Sequence, residues 1–300
     1  MAKKVLFRAD SSSIIGTGHI MRDLVLASDY SKRGYTIIFA VRNLPGNINY
    51  KILESGHKIK LLKSSKLSNL ISIIKKYKVK EIVIDHYNID WKYEKKLKQL
   101  TDINILSFDD TYLKHHCDTL LNHNIYADKK RYKTLVPKNS KIKCGPKYTL
   151  LRDEFKNTKS IKNIKKKSIL IAMGGADTAH LNIKILKTLH EISNITINII
   201  TTTANKNLDE LKFYVKNLKN ITIHINTNKI AMLLATTSFA IITPSVTANE
   251  VSYMKIPFIA IKTASNQKEM YKYLKKKNIN VLKEFNKELL LAKIYKLLKD

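Results

Sequence analysis

Short apolar runs alternate with amphipathic helical patterns along almost the whole chain, and this alternation limits the fold more than any other feature. In the first half the runs are "VLFRA", "TIIFAV", "KIKLL", "EIVIDH" and "NILSFD". Helical spacing follows most of them, near residues 19–33, 48–55, 67–77 and 91–100. The second half carries "SILIAM", "TINIITT", "ITIHI", "FAIIT", "FIAIK" and "INVL", with helical spacing near 179–191, 207–218, 229–235, 247–254, 267–277 and 287–299. Continuously apolar strands between helices belong to parallel sheets, because the crossover helices cover both faces.

The expected fold is therefore α/β, with two Rossmann-like doubly wound domains and a cleft between them. The polar segment "RDEFKNTKSIKNIKKKS", 152–168, has no strand signal and parts the halves. The domains are expected to span 1–155 and 156–300. Ligands of such sheets bind beyond the carboxyl ends of the strands, so the loops there are where chemistry is sought.

Composition narrows the partners. The formal charge of +31 suggests phosphate binding, yet only six of the 55 basic residues are arginine. Arginine is the preferred fork for phosphates and guanine edges, and no recognition-helix or zinc-finger spacing accompanies the scattered lysines. The charge reads as a solvated lysine-rich surface that draws anionic substrates from a distance. No nucleic-acid partner is expected. The start, "MAKKVLFRAD", reads as a strand, and no apolar run approaches membrane-spanning length. Cys117 and Cys144 form no CxxC pair and are too few for a disulfide framework. A cytoplasmic protein with no membrane insertion is expected.

Four loops carry candidate chemistry. In "IIGTGHIMRD", Gly16 and Gly18 permit a tight turn into a helix whose free N–H groups favour an anion. His19, where turn meets helix, fits two roles: a general base, or a structural cap or core histidine. In "SILIAMGGADTAHLNIKIL", Gly174 and Gly175 follow a buried strand. They suit a diphosphate cradle, or an ordinary turn with Asp177 or Thr178 as N-cap.

In "FAIITPSVTANEVSYMKIPFIAI", Ser245 or Thr247 opens a helix carrying Asn249 and Glu250. Glu250 either complements the helix dipole or accepts hydrogen bonds from a ribose diol. Asn266 and Gln267, in "KTASNQKEMYKYL", lie at a strand-to-helix junction where an Asn cap is the simple alternative. Asp85, His86 and Tyr87 end another strand. Asp109, Asp110, His115 and His116 lack metal-ligand spacing and are read as loop and capping residues. No metal and no cofactor is expected.

Taken in order, "RADSSSIIGTGHIMRDLVLA", "VIDHY", "LSFDD", "HHCDTLLN", "CGPKYTLLRDEF", "MGGAD", "NEVSYMKIPF" and the late "NQ" resemble the PseG family. Its members remove UDP from UDP-2,4-diacetamido-2,4,6-trideoxy-β-L-altropyranose in pseudaminic acid biosynthesis. The resemblance runs from about Phe7 to Val281. More distantly, the glycine–histidine turn and the "MGG" loop resemble MurG-type glycosyltransferases of GT-B architecture.

The resemblance implies a bacterial, metal-independent hydrolase, acting as a monomer, whose product feeds flagellin glycosylation. His19 would be the base that activates water for inverting attack on the anomeric carbon. Gly16, Gly18, Tyr87, Asn266 and Gln267 would border the sugar. Gly174, Gly175, Ser245, Asn249 and Glu250 would hold the nucleotide, with Glu250 on the ribose. The rival expectations are a GT-B glycosyltransferase with a non-water acceptor and a nucleotide-sugar-binding protein without turnover.

Overall fold

A computed structural model describes residues 3–158 and 167–299. The chain divides into two compact units, Met1–Leu150 and Leu151–Asp300, so the division falls shortly before the expected 155/156 boundary. Residues 159–166 of the polar segment between the halves lie outside the described residues; helix and strand occupy its two ends, at Asp153–Asn157 and from Lys167.

The first unit runs β1 (Lys4–Ala9), α1 (Gly18–Lys32), β2 (Thr36–Val41), α2 (Asn49–Glu54), β3 (Lys58–Leu61), α3 (Leu67–Tyr77), β4 (Glu81–Asp85), α4 (Trp91–Thr101), β5 (Asn104–Phe108), β6 (Thr119–Asn122) and β7 (Lys141–Cys144). Its seven strands form one parallel sheet in the order β3-β2-β1-β4-β5-β6-β7. One face buries Val5, Phe7, Phe39 and Ile20; the other buries Leu6, Ile38, Ile82 and Leu97. Burial on both faces is what made the strands read as continuous apolar runs.

Strands β6 and β7 are additions to the five runs expected in this half. They are "TLLN" and "KIKC", four residues each, and the second is an edge strand with both lysines exposed. They extend one edge of the sheet beyond β5.

The second unit runs α5 (Asp153–Asn157), β8 (Lys167–Ala172), α6 (Asn182–Leu189), β9 (Ile195–Thr201), α7 (Leu208–Val215), β10 (Ile221–Ile225), α8 (Ile230–Ala235), β11 (Phe239–Ile242), α9 (Val246–Tyr253), β12 (Phe258–Ile261), α10 (Lys268–Lys276), β13 (Asn280–Leu282) and α11 (Lys287–Lys299). The sheet is again parallel, in the order β10-β9-β8-β11-β12-β13. Ile169, Ile171, Ile241 and Ile259 pack with Ile185, Leu189 and Leu290 in its core.

Both sheets reverse their winding at one place: between β1 and β4 in the first, and between β8 and β11 in the second. Flanking crossovers run to opposite faces there, leaving a crevice at the carboxyl ends of the two central strands. The loops after β1, β4, β8 and β11 are those that hold most of the candidate residues. No helix among the described residues is long and apolar enough to cross a membrane.

Candidate active site

In the first unit Ala9 of β1 lies opposite Asp85 of β4, so the chain leaves both strands side by side. Asp10 follows, fully buried, and gathers four hydrogen bonds from two arginines. Arg8 donates from Nη1 and Nη2 at 2.8 and 2.9 Å, and Arg42 from its backbone N and Nε at 2.8 and 2.7 Å. His86 Nε2 lies 3.2 Å away. Because Asn88 N–H donates to His86 Nδ1 at 3.1 Å, the ring proton sits on Nε2 and points to Asp10. Burial alone would raise the Asp10 pKa; His86, Arg8 and Arg42 overcome it and hold the carboxyl far below the usual range.

The serines that follow build the turn. Ser11 Oγ accepts from Ile48 N–H at 3.0 Å, and Ser12 Oγ from the N–H groups of Ile14 and Ile15 at 3.2 and 2.9 Å. Ser12 and Gly16 also pair backbone to backbone, with Gly16 at φ +84°, where a side chain is strained. Helix α1 then starts at Gly18 with no side-chain cap from Thr17 and no acidic residue in its first turn. Its leading N–H groups are left to a ligand or solvent.

His19 is the second residue of α1 and is only 7% exposed. Its ring meets the half-exposed Tyr87 ring edge to face, centroids 4.8 Å apart. One helical turn on, Arg22 grips Asp85 through Nε (2.6 Å) and Nη2 (2.5 Å), and reaches Asp110 through Nη1 at 3.0 Å. The Tyr87 hydroxyl donates to the same Asp110 oxygen at 2.9 Å. The ring that packs on His19 is thereby tied to the helix that carries it. Burial pushes the His19 pKa below its ordinary value, with Asp85 pulling it up and Arg22 pulling it down. The result is an imidazole biased toward its neutral, proton-accepting form.

Two more buried groups flank this network. Asp23 is completely buried and neither carboxyl oxygen has a hydrogen-bond partner among the described residues. Burial and the Asp85 charge raise its pKa well above the carboxylate range. Burial, reinforced by Arg22, lowers His123 to about 3. Asp23 and His123 are thus both biased toward their neutral forms, beside the buried Arg22–Asp85 ion pair.

The "FDD" and "HHCD" segments divide between scaffold and site. Asp109 holds its own loop, accepting from Thr111 N–H at 2.9 Å, Leu113 N–H at 3.1 Å and the Tyr132 hydroxyl at 2.7 Å. His115 Nδ1 lies 2.8 Å from Glu94, which also accepts from Ser107 Oγ and His116 N–H at 2.7 and 2.6 Å. Asp110, by contrast, belongs to the Arg22–Tyr87 network. Among the described residues no group of three or more His, Cys, Asp or Glu is placed to hold a metal ion.

The second unit presents its loops at the equivalent crevice. Gly174 adopts φ +82°, and Gly175 sits so close to Thr202 that a Cβ would stand 2.8 Å from Cγ2. The Gly175 carbonyl accepts from Thr201 Oγ1 at 3.1 Å and from Thr202 N–H and Oγ1, both at 2.9 Å. Asp177, in the turn before α6, accepts from Leu181 and Asn182 N–H at 2.9 and 3.0 Å and so meets the leading amides of that helix. Helix α6 starts at Asn182, later than the expected 179, because the chain turns once more before the cap.

Helix α9 differs from α6. Ser245 stands at its N-cap position but makes no side-chain cap bond; its hydroxyl lies 3.0 Å from Thr243 Oγ1. Asn249 and Glu250 are both buried on that helix, and Glu250 receives Arg152. Asn266 is exposed in the turn Ser265–Gln267 after β12. Gln267 closes that turn, its Oε1 accepting from Thr263 and Ala264 N–H at 2.8 and 3.2 Å.

Each unit thus gathers its own candidates: Gly16, Gly18, His19 and Tyr87 in the first, and the β8, β11 and β12 loops in the second. Sequence reasoning missed Arg22, Asp10, His123 and Arg152. Arg22 had a usable signal, since its i+3 spacing from His19 puts both on one helix face. Arg152 had none, because its partner lies 98 residues away.

The fold is that of GT-B glycosyltransferases. MurG of Acinetobacter baumannii superposes with a TM-score of 0.65 at 14% identity, covering 99% of this chain and 91% of that one. The spinosyn rhamnosyltransferase SpnG, complexed with thymidine diphosphate, gives 0.67 at 12% identity, covering 99% and 92%. No protein-family model matches the chain. A UDP-2,4-diacetamido-2,4,6-trideoxy-β-L-altropyranose hydrolase of Campylobacter jejuni subsp. jejuni is 39% identical over 278 residues, 93% of this chain and 98% of the relative. The chain belongs to that family of UDP-sugar hydrolases, PseG.

Proposed function

We propose that this protein hydrolyses UDP-2,4-diacetamido-2,4,6-trideoxy-β-L-altropyranose to the free sugar and UDP, a step of pseudaminic acid biosynthesis serving flagellin glycosylation. The observation that carries the chemistry is His19: buried, biased toward its neutral form, packed on Tyr87 and set at the start of an uncapped helix. His19 takes a proton from water as its oxygen attacks the anomeric carbon on the face opposite UDP. The bond from that carbon to the UDP oxygen breaks, and UDP leaves with the electron pair. The configuration inverts.

A diphosphate leaves readily, so it needs preorganised electrostatic holding more than protonation. The uncapped start of α9 with Ser245 and Asn249, and the Gly174–Gly175 turn, are assigned to the diphosphate, with no metal required. Glu250 is assigned to the ribose. Gly16, Gly18 and Tyr87 are assigned to the sugar, as is Asn266, presented by the turn that Gln267 closes. In this reading residues 1–155 carry the water chemistry and most of the sugar site, and 156–300 carry UDP and contribute Asn266. The protein works as a cytoplasmic monomer, without nucleic acid or membrane insertion.

The test is proton NMR of the purified protein with this substrate in EDTA. The expected result is free sugar, first as the α anomer, together with UDP. Retention of the β configuration removes the single inverting step; loss of activity in EDTA removes metal independence. The fold shared with SpnG and MurG supports a second reading, transfer to a non-water acceptor. Sugar release that requires an added acceptor would favour it.

A further inference from the structure

The segment that opens the second unit grips the helix to which the nucleotide is assigned. Arg152 donates from Nε and Nη2 to Glu250 Oε1, at 3.2 and 2.9 Å. Its Nη1 lies 2.6 Å from Glu154 Oε1, and its guanidinium stacks 4.8 Å over the ring of the fully buried Phe155. Glu154 is anchored in turn: Oε2 accepts from Ala231 N–H, at the start of α8, at 3.0 Å. The arginine is thus held on both edges and one face, in a fork that fits a carboxylate.

Both bonds to Glu250 go to one oxygen. Among the described residues Oε2 accepts no hydrogen bond, although the side chain is only 9% exposed. Oε2 is not among the buried side-chain atoms left without a partner, so it is the part of this carboxylate that faces solvent and can meet a donor. The arrangement leaves one acceptor atom, fixed in direction and ready for a hydroxyl.

We propose that Arg152, backed by Glu154 and Phe155, is the positioning residue for Glu250, fixing its carboxylate so that Oε2 accepts a ribose hydroxyl of the nucleotide. This rests on the assignment of Glu250 to the ribose. Burial raises the Glu250 carboxyl's pKa, and the Arg152 guanidinium offsets part of that rise, favouring the ionised form. Removing the arginine would favour a protonated, unaligned carboxyl. Such a group donates where it should accept.

The experiment is calorimetric titration of UDP, 2′,3′-dideoxy-UDP and uridine into the wild-type protein, Arg152→Gln and Arg152→Lys. A site built around a hydroxyl strongly rejects an analogue without it, so the wild type is expected to prefer UDP over the dideoxy form by roughly tenfold or more. Arg152→Gln is expected to shrink that ratio below about threefold and to weaken uridine along with UDP. Arg152→Lys keeps the charge without the fork, and an intermediate ratio is expected; it decides the matter if the Gln variant does not fold.

A tenfold wild-type ratio that survives in either folded variant overturns the proposal while leaving the ribose assignment intact. A wild-type ratio near one overturns both. Loss confined to UDP, with uridine binding unchanged, marks Arg152 as a phosphate ligand and also overturns it.

Discussion

Arg22 holds Asp85 by two parallel hydrogen bonds, 2.6 Å from Nε to Oδ2 and 2.5 Å from Nη2 to Oδ1, and both side chains are almost wholly buried. The pair joins α1, one turn beyond His19, to the end of β4, two residues before Tyr87. It is the joint through which the two sides of the first-unit crevice are kept in register.

Asp85→Asn would leave a buried guanidinium without its countercharge. Breaking one side of such a pair costs roughly 3–5 kcal/mol, and urea denaturation is expected to show a loss of that size. Asp85 also raises the His19 pKa, so any activity that survives is expected to persist to lower pH than in the wild type.

His19→Ala is expected to lower kcat by roughly 10²–10⁴, the range associated with loss of a general base. UDP affinity should stay within about twofold, because no first-unit side chain is assigned to the nucleotide; a shift of this order is near the noise of single contacts. UDP release and calorimetric titration measure the two quantities. An unchanged kcat would falsify the assignment of His19.

The pH profile follows from the same group. His19 must be neutral to accept a proton, and its pKa lies below the ordinary 6.5. Activity as kcat/KM should therefore hold at pH 6.5 and fall only as acid carries the solution through that lower pKa. An acid limb centred above 6.5 would assign the base elsewhere.

His115 predicts a loss of stability at the alkaline end. Burial opposes its charge, but Asp109 and Glu94 outweigh burial and raise its pKa to about 9. A raised histidine pKa contributes stability that is complete below the unfolded value of about 6.5 and disappears as pH rises through the folded one. The melting temperature should fall between pH 7 and about 10. In His115→Gln that slope should flatten, which thermal scans at several pH values would show.

Gly175→Ala would place a Cβ 2.8 Å from Thr202 Cγ2, inside van der Waals contact. Overpacking of this kind costs roughly 1–3 kcal/mol. Thr202→Ser removes the Cγ2 methyl and keeps the hydroxyl bond to the Gly175 carbonyl, so adding it should recover part of the loss. Denaturation of the single and double variants measures the coupling.

Much of the fold was legible because parallel strands buried on both faces leave continuous apolar runs, as in "EIVID" and "FAII". Strands β6 and β7 were not, although β3 and β11 are equally short: "TLLN" and "KIKC" lie in the polar stretch that follows the "FDD" and "HHCD" loops and were not separated from it. The glycine turn leading to His19 was legible for a local reason: Gly16 needs a positive φ and the helical pattern begins two residues later. The α6 turn shows the limit of that logic. A glycine pair before a helix reads alike whether a ligand or a side chain meets the first amides, and here Asp177 meets them.

What the sequence by itself determined is the set of elements, their alternation and the candidate loops. These depend on φ preferences and on periodicities spanning a few neighbours. Only the tertiary structure decided the partners. Arg22 meets Asp85 and Asp110 across 63 and 88 residues, and Arg152 meets Glu250 across 98. Burial then set the direction of the titrations, lowering the His19 pKa and raising that of Asp23, while Arg152 took one oxygen of Glu250. Desolvation and charge pairing depend on where the chain returns to itself, which no local pattern records.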